Sequence, residues 1–143
     1  MSSPLEKLAT QTGSLVFEPK DENETRGLIK SGKTRLQDAQ NGDLSLESRF
    51  DLAYNAAHAL CLAALRQQDF RAKNRYIVFQ VLPHTLGLGP TVWRILAKCH
   101  DMRNLSEYEG DISINARIVI DLIDAANQVL TALEKLVDQK IKP

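Results

Sequence analysis

Two cysteines are too few for a disulfide framework, and both Cys61 and Cys99 fall in apolar-periodic segments where a thiol packs as a small hydrophobe. No sign of charge is in excess. Eighteen Lys and Arg balance eighteen Asp and Glu, so no global basic field holds DNA or RNA, and any nucleic-acid site has to be local. No apolar run approaches the roughly 18 residues that a bilayer span needs, and no membrane partner is expected. The first residues lack the basic-then-apolar pattern of a secretory leader, which makes the cytoplasm the expected location. Low-complexity tracts and internal repeats are missing as well. Aromatic residues are scarce at 6%, and the one tryptophan, Trp93, is expected to anchor a helix in the core or an interface.

What remains is ordinary globular composition. Hydrophobic residues make up 43% and charged residues 25% of 143, which fits a single domain with its own core. The periodicity is helical. Residues 1–20 read as an N-terminal arm packed on that domain, with a short turn of helix at Pro4 to Thr10 and an apolar patch at Leu15-Val16-Phe17. Asp21 to Gln40 reads as a helix weakened by Gly27 and Gly32. Asn41-Gly42-Asp43 breaks it, and Ser45 is placed to cap the next. From Ser45 to Gln68, Phe50, Ala53, Tyr54, Ala57, Leu60, Cys61, Ala64 and Leu65 recur at three and four residues. Asn74 to Leu82 fits a buried strand or a short buried helix equally well. Pro90 starts a helix running to about Tyr108. Asp111 or Ser113 begins the last one, whose apolar stripe runs from Ile114 to Val137. The expected fold is all-α, an up-and-down bundle of four to five helices.

One segment matches a phosphate-binding loop letter for letter: Gly27-Leu28-Ile29-Lys30-Ser31-Gly32-Lys33-Thr34. In such a loop the glycines let backbone N–H groups wrap the phosphates, while Lys33 would reach the terminal oxygens and Thr34 would hold Mg²⁺. Ile118-Val119-Ile120-Asp121 mimics the accompanying apolar run that ends in aspartate. The context argues otherwise. The preceding Asp21 to Arg26 is charged rather than a buried strand, and the chain lacks the strand–helix alternation of a parallel sheet. The competing reading is a glycine-weakened surface helix, and a nucleotide hydrolase at Gly27 to Thr34 is the weaker hypothesis.

A second constellation carries more weight. His100-Asp101-Met102-Arg103-Asn104-Leu105-Ser106-Glu107-Tyr108 puts His100, Asn104, Glu107 and Tyr108 on neighbouring positions of one helix face, flanked by Arg103. An arginine can neutralise a phosphodiester, an asparagine can orient it, and a histidine or tyrosine can move a proton. Equally, Arg103 can pair with Glu107 while Asn104 and Tyr108 satisfy the helix end.

Arg103-Asn104 followed by Tyr108 near a helix end, then a long terminal helix, resembles the HEPN family of helical domains. Arg49-Phe50-Asp51-Leu52-Ala53-Tyr54-Asn55-Ala56-Ala57 resembles that family's earlier core helix. The resemblance covers Asp43 to Leu136 and implies an all-α bundle, a homodimer with the Arg103 helices facing each other, and no cofactor or metal. Ribonuclease members carry a histidine four to six residues after the arginine. Here Arg103 matches the arginine and Asn104 the polar residue after it, but the histidine positions hold Tyr108, Glu109 and Gly110. A tyrosine titrating near pH ~10 is a poor base at neutral pH. The resemblance therefore implies a nucleotide- or RNA-associated accessory domain, a toxin–antitoxin component or a nucleotidyltransferase partner. The ligand would be held by Arg103, Asn104 and Tyr108. The alternative is a degenerate metal-independent ribonuclease using Arg103 with Tyr108 or His100.

Elsewhere the signals are bland. His58 with Asp51 makes a poor metal pair seven positions apart, and His58 reads as a half-buried core histidine. His84 follows Pro83 and reads as a surface-loop residue. Arg71, Lys73, Asn74 and Arg75 form the one dense basic cluster, either a solvated loop or the local patch that a polyanion would need.

Overall fold

The computed structural model describes the backbone of residues 3–109 and 114–141 and the side chains of 3–105 and 114–138. Helices α1 (Pro4–Lys7), α2 (Glu22–Ala39), α3 (Leu46–Arg66), α4 (Arg75–Gln80), α5 (Leu82–Thr85), α6 (Pro90–Glu109) and α7 (Ala116–Ile141) account for most of it, with a π-helical turn at Leu8–Thr12. Four long helices, α2, α3, α6 and α7, form the body. The short helices accompany that body: α1 falls where the sequence suggests a turn of helix at Pro4 to Thr10, α4 falls inside the Asn74 to Leu82 segment for which the sequence leaves strand or helix open, and α5 follows it.

Three of the four long helices, α2, α3 and α7, start at a side-chain cap. Asp21 Oδ1 accepts from the amides of Asn23 (2.9 Å) and Glu24 (3.2 Å), and Ser45 Oγ accepts from Ser48 N at 3.1 Å. Asn115 Oδ1 accepts from Ile118 N at 2.9 Å, so α7 starts at Ala116 rather than at Asp111 or Ser113. Residues 111 and 113 lie outside the described backbone. Asn74 Oδ1 caps α4 through Ile77 N at 3.0 Å. That cap settles the ambiguity of Asn74 to Leu82: the segment is helical, and Ile77, Val78, Phe79, Val81 and Leu82 are all buried. His84 sits in α5 instead of a loop, and is exposed.

Helix α3 is the axis of the core. Ala53, Tyr54, Ala56, Ala57, Leu60, Cys61, Ala63, Ala64 and Leu65 are fully buried, and α2, α6 and α7 pack around it. Its small side chains permit close approach. Helix α7 contributes Val119, Leu122, Ala126, Val129 and Leu133, and α6 contributes Val92, Leu96 and Cys99. Trp93 is half-buried against the same core.

The arm departs from an all-α description. Leu15–Phe17 (β1) pairs antiparallel with Phe70–Ala72 (β2), Phe17 opposite Phe70 with ring centroids 5.0 Å apart. The two segments are joined by charge as well as by the ladder. Arg66 is 1% exposed, and its guanidinium donates to Glu24 Oε1 (2.6 Å) and to the carbonyls of Glu18 (2.8 Å), Pro19 (2.6 Å) and Phe70 (3.1 Å). Arg71 donates to Glu18 Oε2 at 2.6 Å and Glu24 Oε2 at 2.8 Å. Asp69, at φ +69°, holds the same stretch: its carbonyl accepts from Glu18 N and its carboxylate from Lys20 N, both at 2.9 Å. Aspartate is among the few residues that adopt this left-handed conformation readily.

Candidate functional site

Pro90 opens α6 with φ already near the helical value. Ten residues on, with Leu96 and Cys99 turned into the core, His100, Arg103 and Asn104 occupy the half-buried face beside them. His100 and Asn104 are one turn apart, and Asn104 Nδ2 lies 3.1 Å from His100 Nε2. On the other side of the ring, Nδ1 lies 2.9 Å from Tyr54 Oη, a residue of α3 with no exposed surface. With the Asn104 amide donating to Nε2, the proton sits on Nδ1 and is donated to Tyr54 Oη. The Arg103 guanidinium carbon stands 5.2 Å from the centroid of the Tyr54 ring, within cation–π range. Tyr76 and Phe79 of α4 complete the wall around His100, with ring centroids at 5.5 and 6.1 Å.

The surroundings are electropositive. Half-buried His58 of α3 is pushed down from its ordinary value to about 4, first by burial and then by the charges of Arg75, His100 and Arg103. Arg75 of α4 and Arg103 of α6 thus both lie near enough to His58 to disfavour its charged form. His100 with both ring nitrogens engaged is a positioning group that ties Asn104 to Tyr54; it can accept a substrate proton only by giving up one of these bonds.

Of the residues expected at this site, His100, Arg103 and Asn104 come together. Tyr108 belongs to α6 by its backbone, and its side chain, like that of Glu107, lies outside the described ones. Asn104 bonds His100 rather than the backbone of the helix end. Tyr54, His58, Tyr76 and Phe79 join from α3 and α4. Their sequence signal was the three- and four-residue spacing within each helix, which also reads as plain core.

Gly27 to Thr34 lies wholly inside α2. Backbone N–H groups there are committed to carbonyls four residues back and are not open to a phosphate. Lys33 reaches across to α7 instead, with Nζ 3.2 Å from Glu134 Oε2. Gly32 serves packing: a methyl at that position would meet Leu60. Asp121 is in α7, 3.2 Å from Arg117.

Both thiols are inert. Burial raises Cys99 to about 12 and Cys61 higher still. Among the described residues no group of three His, Cys, Asp or Glu is arranged to hold a metal, and no helix is long and apolar enough to cross a membrane. Comparison with protein families, curated proteins and solved structures finds no match for this chain.

Proposed function

We propose that the chain is a HEPN-like helical domain that binds the phosphates of a nucleotide or RNA beside α6 and works as an accessory subunit. It would serve in a toxin–antitoxin pair or as a nucleotidyltransferase partner. One observation carries this reading: Arg103 and Asn104, the pair of the resemblance, stand together on the half-buried face of α6, with Asn104 held by His100 and the Arg103 guanidinium laid over the Tyr54 ring. Arg103 supplies charge to a phosphate, and Asn104, held by His100, orients it. Tyr108 is assigned to the same ligand through the resemblance alone. In the homodimer that the resemblance implies, the Arg103 helices of two copies would face each other.

The test is incubation of purified protein with a mixed RNA pool in EDTA, beside Arg103→Ala, together with fluorescence anisotropy of a labelled RNA. The accessory reading expects no cleavage above the variant's background and salt-sensitive binding that Arg103→Ala weakens. RNA binding identical in the two proteins overturns it. Cleavage that resists EDTA and disappears in Arg103→Ala replaces it with a metal-independent ribonuclease.

A further inference from the structure

The basic cluster at 71–75 is not absorbed by the α6 site. Between α3 and the β2–α4 connection lies a cleft of about 220 Å³ lined by His58, Leu62, Arg71, Lys73, Asn74 and Arg75. That is smaller than the roughly 300–1,000 Å³ of clefts that enclose drug-sized ligands, so its occupant is a small ion or one group of a larger molecule.

The charges in the cleft are not equivalent. Arg71 is neutralised by Glu18 and Glu24 on the arm side. Lys73 and Arg75 are different: no carboxylate of a described residue lies within ion-pair distance of either. Asn74 between them is extended (φ −144°, ψ 165°), which sends the side chains on either side of it to the same face. Its own carboxamide oxygen is spent on the Ile77 amide and so does not compete for a ligand. His58 lines the cleft edge-on to Phe79, with ring centroids 6.1 Å apart, and has no hydrogen-bond partner among the described residues.

We propose that this cleft binds a phosphate monoester dianion, gripped by Lys73 and Arg75 and met by an imidazole N–H of His58. Two uncommitted cations match the charge of roughly −1.5 to −2 that such a group carries at pH 7, whereas a carboxylate or a phosphodiester leaves one of them unbalanced. His58, held near 4 by burial and by Arg75, is neutral at that pH and donates without adding a third charge. Arg103 does not line this cleft, so the site stands or falls apart from the α6 reading.

The test is an NMR titration of labelled protein in phosphate-free buffer at pH 7, following the His58 ring and the Asn74 to Tyr76 amides. The ligands are inorganic phosphate, adenosine 5′-monophosphate and dimethyl phosphate, which separate the free ion, a monoester and a diester. Saturable shifts are expected with the first two, and dimethyl phosphate should bind at least about tenfold more weakly for want of its second charge. Which of the first two binds more tightly identifies the source of the group. The double variant Lys73→Ala/Arg75→Ala, altered only at exposed positions, should lose about tenfold or more, while Lys98→Ala, which removes an exposed cation that does not line the cleft, stays within about threefold of the parent. The proposal is overturned by the absence of saturation, by equal affinity for dimethyl phosphate, by binding that survives the double variant, or by binding that Lys98→Ala weakens as much as the double variant does.

Discussion

Gly32 of α2 sits so close to Leu60 of α3 that a Cβ on the glycine would lie 2.7 Å from both Leu60 Cγ and Cδ2, and 3.3 Å from the Ala56 carbonyl oxygen. Leu60 is fully buried and cannot swing away. Gly27, one helical turn and a half earlier, has nothing within 4 Å of the same position. The two glycines of the apparent phosphate-loop pattern therefore respond oppositely to alanine. Gly32→Ala is expected to cost about 1–3 kcal/mol through overpacking, and Gly27→Ala to stabilise by up to about 1 kcal/mol through helix propensity. Urea denaturation of the two variants checks both signs. A stable Gly32→Ala protein would mean that the α2–α3 approach is looser than described.

Arg66 and Arg71 share the same two glutamates but differ in exposure, 1% against 38% of the side chain. Replacing Arg66 with methionine leaves the carbonyls of Glu18, Pro19 and Phe70 without their donor and Glu24 with Arg71 as its remaining partner, and is expected to cost about 3–5 kcal/mol. Arg71→Met removes a solvent-screened pair and should cost about 1 kcal/mol or less. Comparable denaturation midpoints for the two variants would refute this division.

The position of His58 makes stability depend on pH. Its folded value of about 4 lies below the ordinary 6.5, so between these values the unfolded chain binds the proton more readily. Stability from this group is fully present above pH 6.5 and drains away as pH falls toward 4, by at most about 3 kcal/mol. The opposing charges face it from α4 (Arg75) and α6 (His100, Arg103). Glu24, held below the carboxylate range by Arg66 and then Arg71, acts in the same direction but further into acid, below its ordinary 4.5. Urea midpoints at several pH values in phosphate-free buffer should show the first loss flattened in His58→Gln and the second retained.

Tyr54 Oη is the bridge between α3 and the His100 ring. Tyr54→Phe keeps the aromatic volume and leaves the His100 Nδ1–H without that acceptor, with an expected cost of about 1–3 kcal/mol. On the proposed function, the same change should also weaken RNA binding through Asn104, whose side chain is bonded to His100. Unchanged His100 ring signals in the NMR spectrum of the variant would contradict the coupling.

The long helices are legible in the sequence because their signals are local. Phe50, Ala53, Tyr54, Ala57, Leu60, Cys61, Ala64 and Leu65 repeat at helical spacing and are all buried, and Ser45 caps them as its position suggests. The ribbon is illegible for a physical reason. Leu15-Val16-Phe17 is too short to display a period of two, and its partner lies more than fifty residues away. Arg66 reads as an ordinary charged residue closing a helix; only the return of the arm brings three carbonyls to its guanidinium. At the site, the Arg103-Asn104 pair and His100 stand out as polar residues on one face, whereas His58 and Tyr54 are hidden inside an apolar stripe. What unites them is the crossing of α3, α4 and α6, which no single window of the sequence contains.

The grip of Arg66 and Asp69 on residues 18–20 sets where the chain can be cut. A fragment beginning at Asp43, where the HEPN-like resemblance starts, would discard Leu36 and Ala39 from the core and both carboxylate partners of Arg66. One beginning at Asp21 would keep Glu24 but lose the carbonyls of Glu18 and Pro19 and the whole of β1. Either fragment exposes apolar surface and a buried cation together, the condition under which a recombinant protein collects in inclusion bodies. Fusion tags and partner-capture baits therefore belong ahead of Ser3, with the arm kept whole.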